Sequence, residues 1–81
     1  MAVRIYSTPT CTFCYQLKDY LRERQVKFVD YDVSRDDGKA DEMLAKSRQT
    51  GVPVLDFNGT IIVGFDKPKV DRLIAKYKSS A

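Results

Sequence analysis

Two cysteines spaced two residues apart, Cys11 and Cys14, lie where a short strand-like run gives way to a helical pattern. That junction limits the folds open to the chain more than any other feature. Residues 3–7, beginning Val3-Arg4-Ile5-Tyr6, read as a first strand. Phe13, Leu17, Tyr20 and Leu21 then recur at three- and four-residue spacing, which predicts a helix over 12–24 that ends at Gln25 without a glycine. Residues 26–33 are rich in β-branched and aromatic side chains and predict a second strand. A strand, a helix and a strand in so short a span imply a right-handed parallel crossover.

The remainder completes one sheet. Ser34 to Gly38 is a polar break, and Ala40, Met43 and Leu44 give residues 39–48 a modest helical stripe stopped by Thr50-Gly51. Residues 52–57 read as a third strand. Asn58-Gly59 is a two-residue hairpin signal, because both central positions of that turn need positive φ. Residues 60–63 then form a fourth strand antiparallel to the third. Asp66 is an N-cap candidate with Pro68 in the first turn, and Val70, Leu73, Ile74 and Tyr77 stripe one face of a last helix. Ser79-Ser80-Ala81 reads as a frayed tail. The expected fold is α/β and thioredoxin-like: β-α-β-α-β-β-α, with one four-stranded mixed sheet flanked by helices, as a single domain over residues 1–81.

Composition removes several function classes. Fourteen Lys and Arg stand against eleven Asp and Glu, and the net charge of +3 is too small and too interspersed to suggest a nucleic-acid binder. No segment has the apolar length of a signal peptide or a membrane span, so a cytoplasmic protein with no membrane partner is expected. In that reducing compartment a purely structural disulfide is unusual. Histidine is absent, which leaves sulfur, carboxylates and backbone groups to carry any chemistry. Two cysteines without histidine fall short of the four ligands of a zinc site, so no metal is expected.

A Cys-x-x-Cys beside a βαβ pattern is a redox arrangement. The first thiol, Cys11, sits where helix-terminal N–H groups and the positive end of the macrodipole favour its anion, the form that attacks disulfides. Cys14, one turn further in, is expected to be more buried. The competing reading is a pair of core thiols without chemistry.

Three segments together resemble the glutaredoxins: Tyr6-Ser7-Thr8-Pro9-Thr10-Cys11-x-x-Cys14, Gly51-Val52-Pro53-Val54 and Val63-Gly64-Phe65-Asp66. They lie in the family's order and spacing, and the resemblance covers nearly the whole chain. It extends to the small redoxins that feed electrons to ribonucleotide reductase. The resemblance implies a dithiol–disulfide oxidoreductase acting on protein disulfides or glutathione mixed disulfides, with Cys11 as nucleophile and Cys14 as resolving thiol. It also implies a cis bond before Pro53, with the Val52 backbone facing a bound peptide or glutathione. Gly64, Phe65 and Asp66 would line the same groove, and Arg48 or Gln49 would reach a glutathione carboxylate. Phe13, Tyr6 and Phe65 are expected to give the groove an apolar wall, with ordinary core packing as the competing reading for each. Lys18 matches a common family lysine and is expected either to raise the local positive potential or to sit solvated on a helix face. The family's usual Pro-Tyr between the cysteines is Thr12-Phe13 here, and its usual lysine three residues before the first cysteine is Thr8. The Gly-Phe pair resembles redoxins recharged by thioredoxin reductase, so glutathione and that reductase both stand as electron sources. No cofactor is expected to be resident, and a monomer is expected. The resemblance carries one alternative function, an iron–sulfur carrier in which Cys11 of two subunits and glutathione hold a cluster.

Overall fold

The computed structural model describes residues 2–79. Its elements are β1 (Val3–Ser7), α1 (Thr12–Glu23), β2 (Val29–Asp32), α2 (Asp37–Ser47), β3 (Val54–Phe57), β4 (Thr60–Val63) and α3 (Lys67–Ser79). The strands form one sheet in the order β2-β1-β3-β4. β1 and β2 pair in parallel, while β1 with β3 and β3 with β4 are antiparallel. This is the thioredoxin-like arrangement that the order of elements predicts.

Alternation along the strands sorts the side chains onto two faces. Val3 and Ile5 of β1 and Leu55 and Phe57 of β3 meet Leu17 and Leu21 of α1 and Val70, Leu73 and Ile74 of α3 in the larger core. Tyr6 and Val54 face the other way and pack on Met43 of α2. Tyr6 is completely buried there, so the expectation that it walls the active groove is wrong: its place in β1 turns it toward α2.

Several boundaries differ from expectation. β2 begins at Val29, not at residue 26, because Val26 belongs to the end of α1. Gln25 adopts a left-handed conformation (φ 60°), its N–H donates to the Arg22 carbonyl, and the Val26 N–H donates to the Leu21 carbonyl. Those are the two bonds of a Schellman cap, and Val26 closes it by packing into the core. α2 starts two residues early, at Asp37, because the Asp36 carboxylate accepts the Lys39 N–H at 3.0 Å. It ends at Ser47, with Arg48 in the left-handed region (φ 59°) before the expected Thr50-Gly51 stop. β3 begins at Val54, since Pro53 has no N–H to give the ladder. The Asn58-Gly59 turn has positive φ at both positions, as expected. α3 runs to Ser79, and the rest of the expected tail, Ser80 and Ala81, lies outside the described residues.

Candidate active site

Cys11 is the N-cap of α1, in extended conformation, and its sulfur accepts the Cys14 N–H at 3.1 Å. One of the N–H groups that a helix start leaves without a partner is thereby aimed at the sulfur, along the positive end of the dipole. The arrangement favours negative charge on that atom. Cys11 is partly exposed, whereas Cys14 is fully buried, and both are free thiols. Burial and the hydrogen bond with Cys11 push the Cys14 thiol up to about 12, while the Thr8 backbone and the charge of Lys18 pull it back.

Lys18 is not on a solvated face. It is 7% exposed, its Nζ lies 2.9 Å from Asp30 of β2, and the Ser7 hydroxyl donates to the other Asp30 oxygen at 2.6 Å. A buried ammonium needs such a partner, because desolvation penalises an unpaired charge. Ser7, Lys18 and Asp30 therefore form one polar cluster on the buried-cysteine side of α1. Sequence reasoning misses Asp30. The signal that could have found it is a carboxylate in a strand whose neighbours are apolar or aromatic.

On the open side, the Val52–Pro53 bond is cis, and the Val52 carbonyl lies 3.9 Å from the Cys11 sulfur. Pro53 is buried and Val52 half-buried. The Gly64 N–H donates to the Pro53 carbonyl at 2.8 Å, and Gly64 has φ 81°, a value that favours glycine. The β4–α3 corner is thereby tied to the Val52–Pro53 turn. Phe13, Phe65 and Asp66 line one open groove of about 550 Å³ together with Gln16, Val63 and Lys67. Phe13 is 61% exposed and Val63 50% exposed. Phe65 leans on the core, edge to face with Tyr20 at 5.3 Å. The Asp66 carboxylate accepts the Lys69 N–H at 3.3 Å, so it caps α3 from the groove's rim.

Arg48 and Gln49 lie in the turn after α2, which leads through Gly51 into Val52. Arg48 is exposed as the left-handed end of that helix. The Gln49 amide is occupied: it accepts the Gly51 N–H at 2.6 Å and donates to the Gly51 carbonyl and the Ser47 hydroxyl. These bonds shape the loop that leads into Val52. Among the described residues no group of three or more His, Cys, Asp or Glu could hold a metal ion. No helix among the described residues is long and apolar enough to cross a membrane.

Residues 3–62 match the Glutaredoxin family. The chain belongs to the glutaredoxin family. This family member is 47% identical over 74 residues to an uncharacterized glutaredoxin-like 8.6 kDa protein in a rubredoxin operon of Clostridium pasteurianum, covering 91% of this chain and 99% of that one. Among solved structures it is similar to the thioredoxin-like protein BC3987 in its T8A mutant, with a TM-score of 0.85 at 23% identity over 90% of this chain and 94% of the other. It is also similar to the glutaredoxin-like protein NrdH-redoxin of Escherichia coli, with a TM-score of 0.81 at 25% identity, covering 90% and 95%. The glutaredoxin-family protein is thus of the thiol–disulfide oxidoreductase class, with Cys11 and Cys14 as its redox pair.

Proposed function

We propose that this glutaredoxin-family protein is a dithiol carrier that reduces protein disulfides. The Cys11 thiolate attacks one sulfur of the substrate disulfide, and the second substrate sulfur leaves as a thiolate. Cys14 then gives up its proton and attacks the Cys11 sulfur. The bond between Cys11 and the substrate breaks, the substrate's remaining thiolate departs, and Cys11–Cys14 is oxidised as the substrate gains two electrons. A two-electron donor, either a pair of glutathiones or thioredoxin reductase, reopens the disulfide in a reducing, cytoplasmic setting.

The observation that carries this reading is the asymmetry of the pair: Cys11 is accessible and holds a helix-start N–H, while Cys14 is buried with a raised pKa. A thiol held neutral waits until Cys11 has been consumed, which orders the two steps. Substrate preference follows from the groove. Val52, Pro53, Gly64, Phe65, Asp66 and Phe13 receive the chain that flanks the disulfide, with the Val52 backbone offered to it as a short added strand. Thr8 puts no cation beside Cys11, and the Gln49 amide is committed to its loop. A groove of mixed lining, with Phe13, Val63 and Phe65 beside Gln16, Asp66 and Lys67, suits an extended polypeptide better than the doubly carboxylated glutathione. NrdH-redoxin of Escherichia coli, glutaredoxin-like in kind, has a thioredoxin-like activity profile. The likeness to it supports thioredoxin reductase as the donor here.

Two serine variants test the reading. Cys11→Ser should bring disulfide reduction to background. Cys14→Ser should accumulate a mixed disulfide with a protein substrate, visible by intact mass. Full activity in the Cys11 variant would remove the mechanism. Offering oxidised protein separately to glutathione and to thioredoxin reductase with NADPH then identifies the donor.

A further inference from the structure

The net charge is not spread over the molecule. Residues 1–65 carry equal numbers of cations and anions, so the whole +3 falls on α3 and its lead-in, where five Lys and Arg face Asp66 and Asp71. Asp71 receives the Tyr20 hydroxyl of α1, which turns it toward that helix. Lys69, Arg72 and Lys76 recur at three and four residues and share another face. Lys69 and Arg72 are exposed, and Arg72 makes no ion pair among the described residues.

That cationic face borders the outer edge of the sheet. Thr60, Ile61 and Ile62 of β4 join Lys69, Arg72 and Lys76 around a hollow of about 350 Å³. Among the described residues β4 is the last strand of the sheet, so one side of its backbone has no strand partner there. The hairpin register says which groups are free. In a two-residue hairpin the closing pair, Phe57 and Thr60, exchanges hydrogen bonds, and so does the second pair on, Leu55 with Ile62. At Pro53 and Gly64 the same phase leaves one bond, from the Gly64 N–H to the Pro53 carbonyl. The N–H and C=O groups of Ile61 and Val63 therefore point outward. Edge strands are ordinarily blunted by a charge, a proline or a bulge. The opposite edge, β2, carries Asp30 and Asp32, but β4 reads Thr-Ile-Ile-Val without any of these.

We propose that the β4 edge and the cationic face of α3 form a docking strip for an extended, acidic segment of the disulfide-bearing protein. The segment adds as a fifth strand at Ile61 and Val63, and its carboxylates lie against Lys69 and Arg72. Val63 is common to the edge and to the groove lined by Phe13. The next residue, Gly64, is hydrogen-bonded to Pro53 of the turn whose Val52 carbonyl lies 3.9 Å from the Cys11 sulfur, so a chain lying along β4 runs toward the α1 start. Charge complementarity selects the partner and speeds its arrival, while the edge fixes its register. The proposal rests on the dithiol reading above for the purpose of the strip, but not for its ability to bind.

The test uses the intact protein and two peptides, one of alternating Glu and Val and one of alternating Lys and Val, each ending in a mixed disulfide. Hydroxyethyl disulfide serves as an uncharged control. The acidic peptide should be reduced about tenfold faster than the basic one at about 20 mM salt, and within about twofold at about 0.5 M. Lys69→Glu with Arg72→Glu should reverse that order and leave the rate with hydroxyethyl disulfide unchanged. Titration with a Glu–Val peptide lacking sulfur should shift the amide resonances of Ile61 and Val63. Equal rates for the two peptides, or a preference that survives the double variant, would overturn the proposal. So would amide shifts confined to the groove, or tighter binding of duplex DNA than of the acidic peptide. If hydroxyethyl disulfide is not reduced either, it is the dithiol reading that fails, and the sulfur-free titration alone decides the docking strip.

Discussion

Two clusters of ionisable groups lie against the same sheet and behave in opposite ways. On the α2 face, Lys46 donates to the buried Asp56 at 2.6 Å, to the Tyr6 hydroxyl at 2.9 Å and to Glu42 at 3.2 Å. The Tyr6 hydroxyl donates to Glu42 at 2.6 Å, and Lys39 holds the other Glu42 oxygen at 3.0 Å. At the α1 start, Cys14 has burial against it and little more than the Thr8 backbone and Lys18 in favour of its charged form. The first cluster satisfies every charge with a partner and is inert. The second leaves one thiol open and one buried with few groups to favour its charged form. What separates them is how many partners each group has, since both contain deeply buried members.

The strongest way to break this contrast is to remove the hub of the inert cluster. Lys46→Met removes the one close cation from the buried Asp56 carboxylate and leaves it the Gly59 N–H at 2.8 Å and Arg4 at 3.7 Å. Breaking a buried ion pair by removing one partner costs about 3 kcal/mol, so the urea midpoint should fall steeply. The alkylation rate of Cys11 should stay as in the parent. A parallel loss of thiol reactivity would show that the two faces are coupled.

Acid probes the same cluster more gently. Tyr6, Lys39 and Lys46 hydrogen-bond the Glu42 carboxylate and hold it down at about 2. Burial acts to raise the Asp56 carboxyl, but Lys46, the Gly59 N–H and Arg4 outweigh it and keep the group below its usual range. Both folded-state values lie below the unfolded ones. Their contribution is thus complete above about pH 4.5 and is lost as pH falls toward about 2. Thermal melts across that window should show stability dropping with acid, and the drop should be much shallower in Glu42→Gln.

The smallest effect sharpens the other side. Lys18→Met keeps the packing of a buried side chain and leaves Asp30 facing solvent, with 37% of its side chain exposed. Stability should change by less than about 1 kcal/mol. The Cys14 thiol loses a favourable charge and should ionise at higher pH, so the mixed disulfide formed through Cys11 should persist several-fold longer. An unchanged lifetime would reduce Lys18 and Asp30 to a structural pair.

The pattern of residues announces the sheet and the redox pair, because each rests on local chemistry. Asn58-Gly59 dictates its turn, and a cysteine pair at a strand–helix junction dictates its own asymmetry. What the pattern hides depends on tertiary partners. Val26 looks like a strand residue, yet it closes a helix whose left-handed position is filled by Gln25 where glycine is usual. Tyr6 looks like a groove aromatic beside the cysteines, but strand alternation turns it to the far face. Lys18 reads as an ordinary helix lysine until Asp30 of β2 is brought beneath α1. The unguarded β4 edge becomes meaningful only once β4 is known to be the last strand.

The contrast between the two thiols is open to one direct measurement. The fully reduced protein is treated with limiting iodoacetamide at neutral pH, and the label is mapped by peptide mass. Carboxamidomethylation should fall on Cys11 almost alone, with Cys14 modified only after denaturant is added. Label appearing on Cys14 first, or equally on both, would contradict the account.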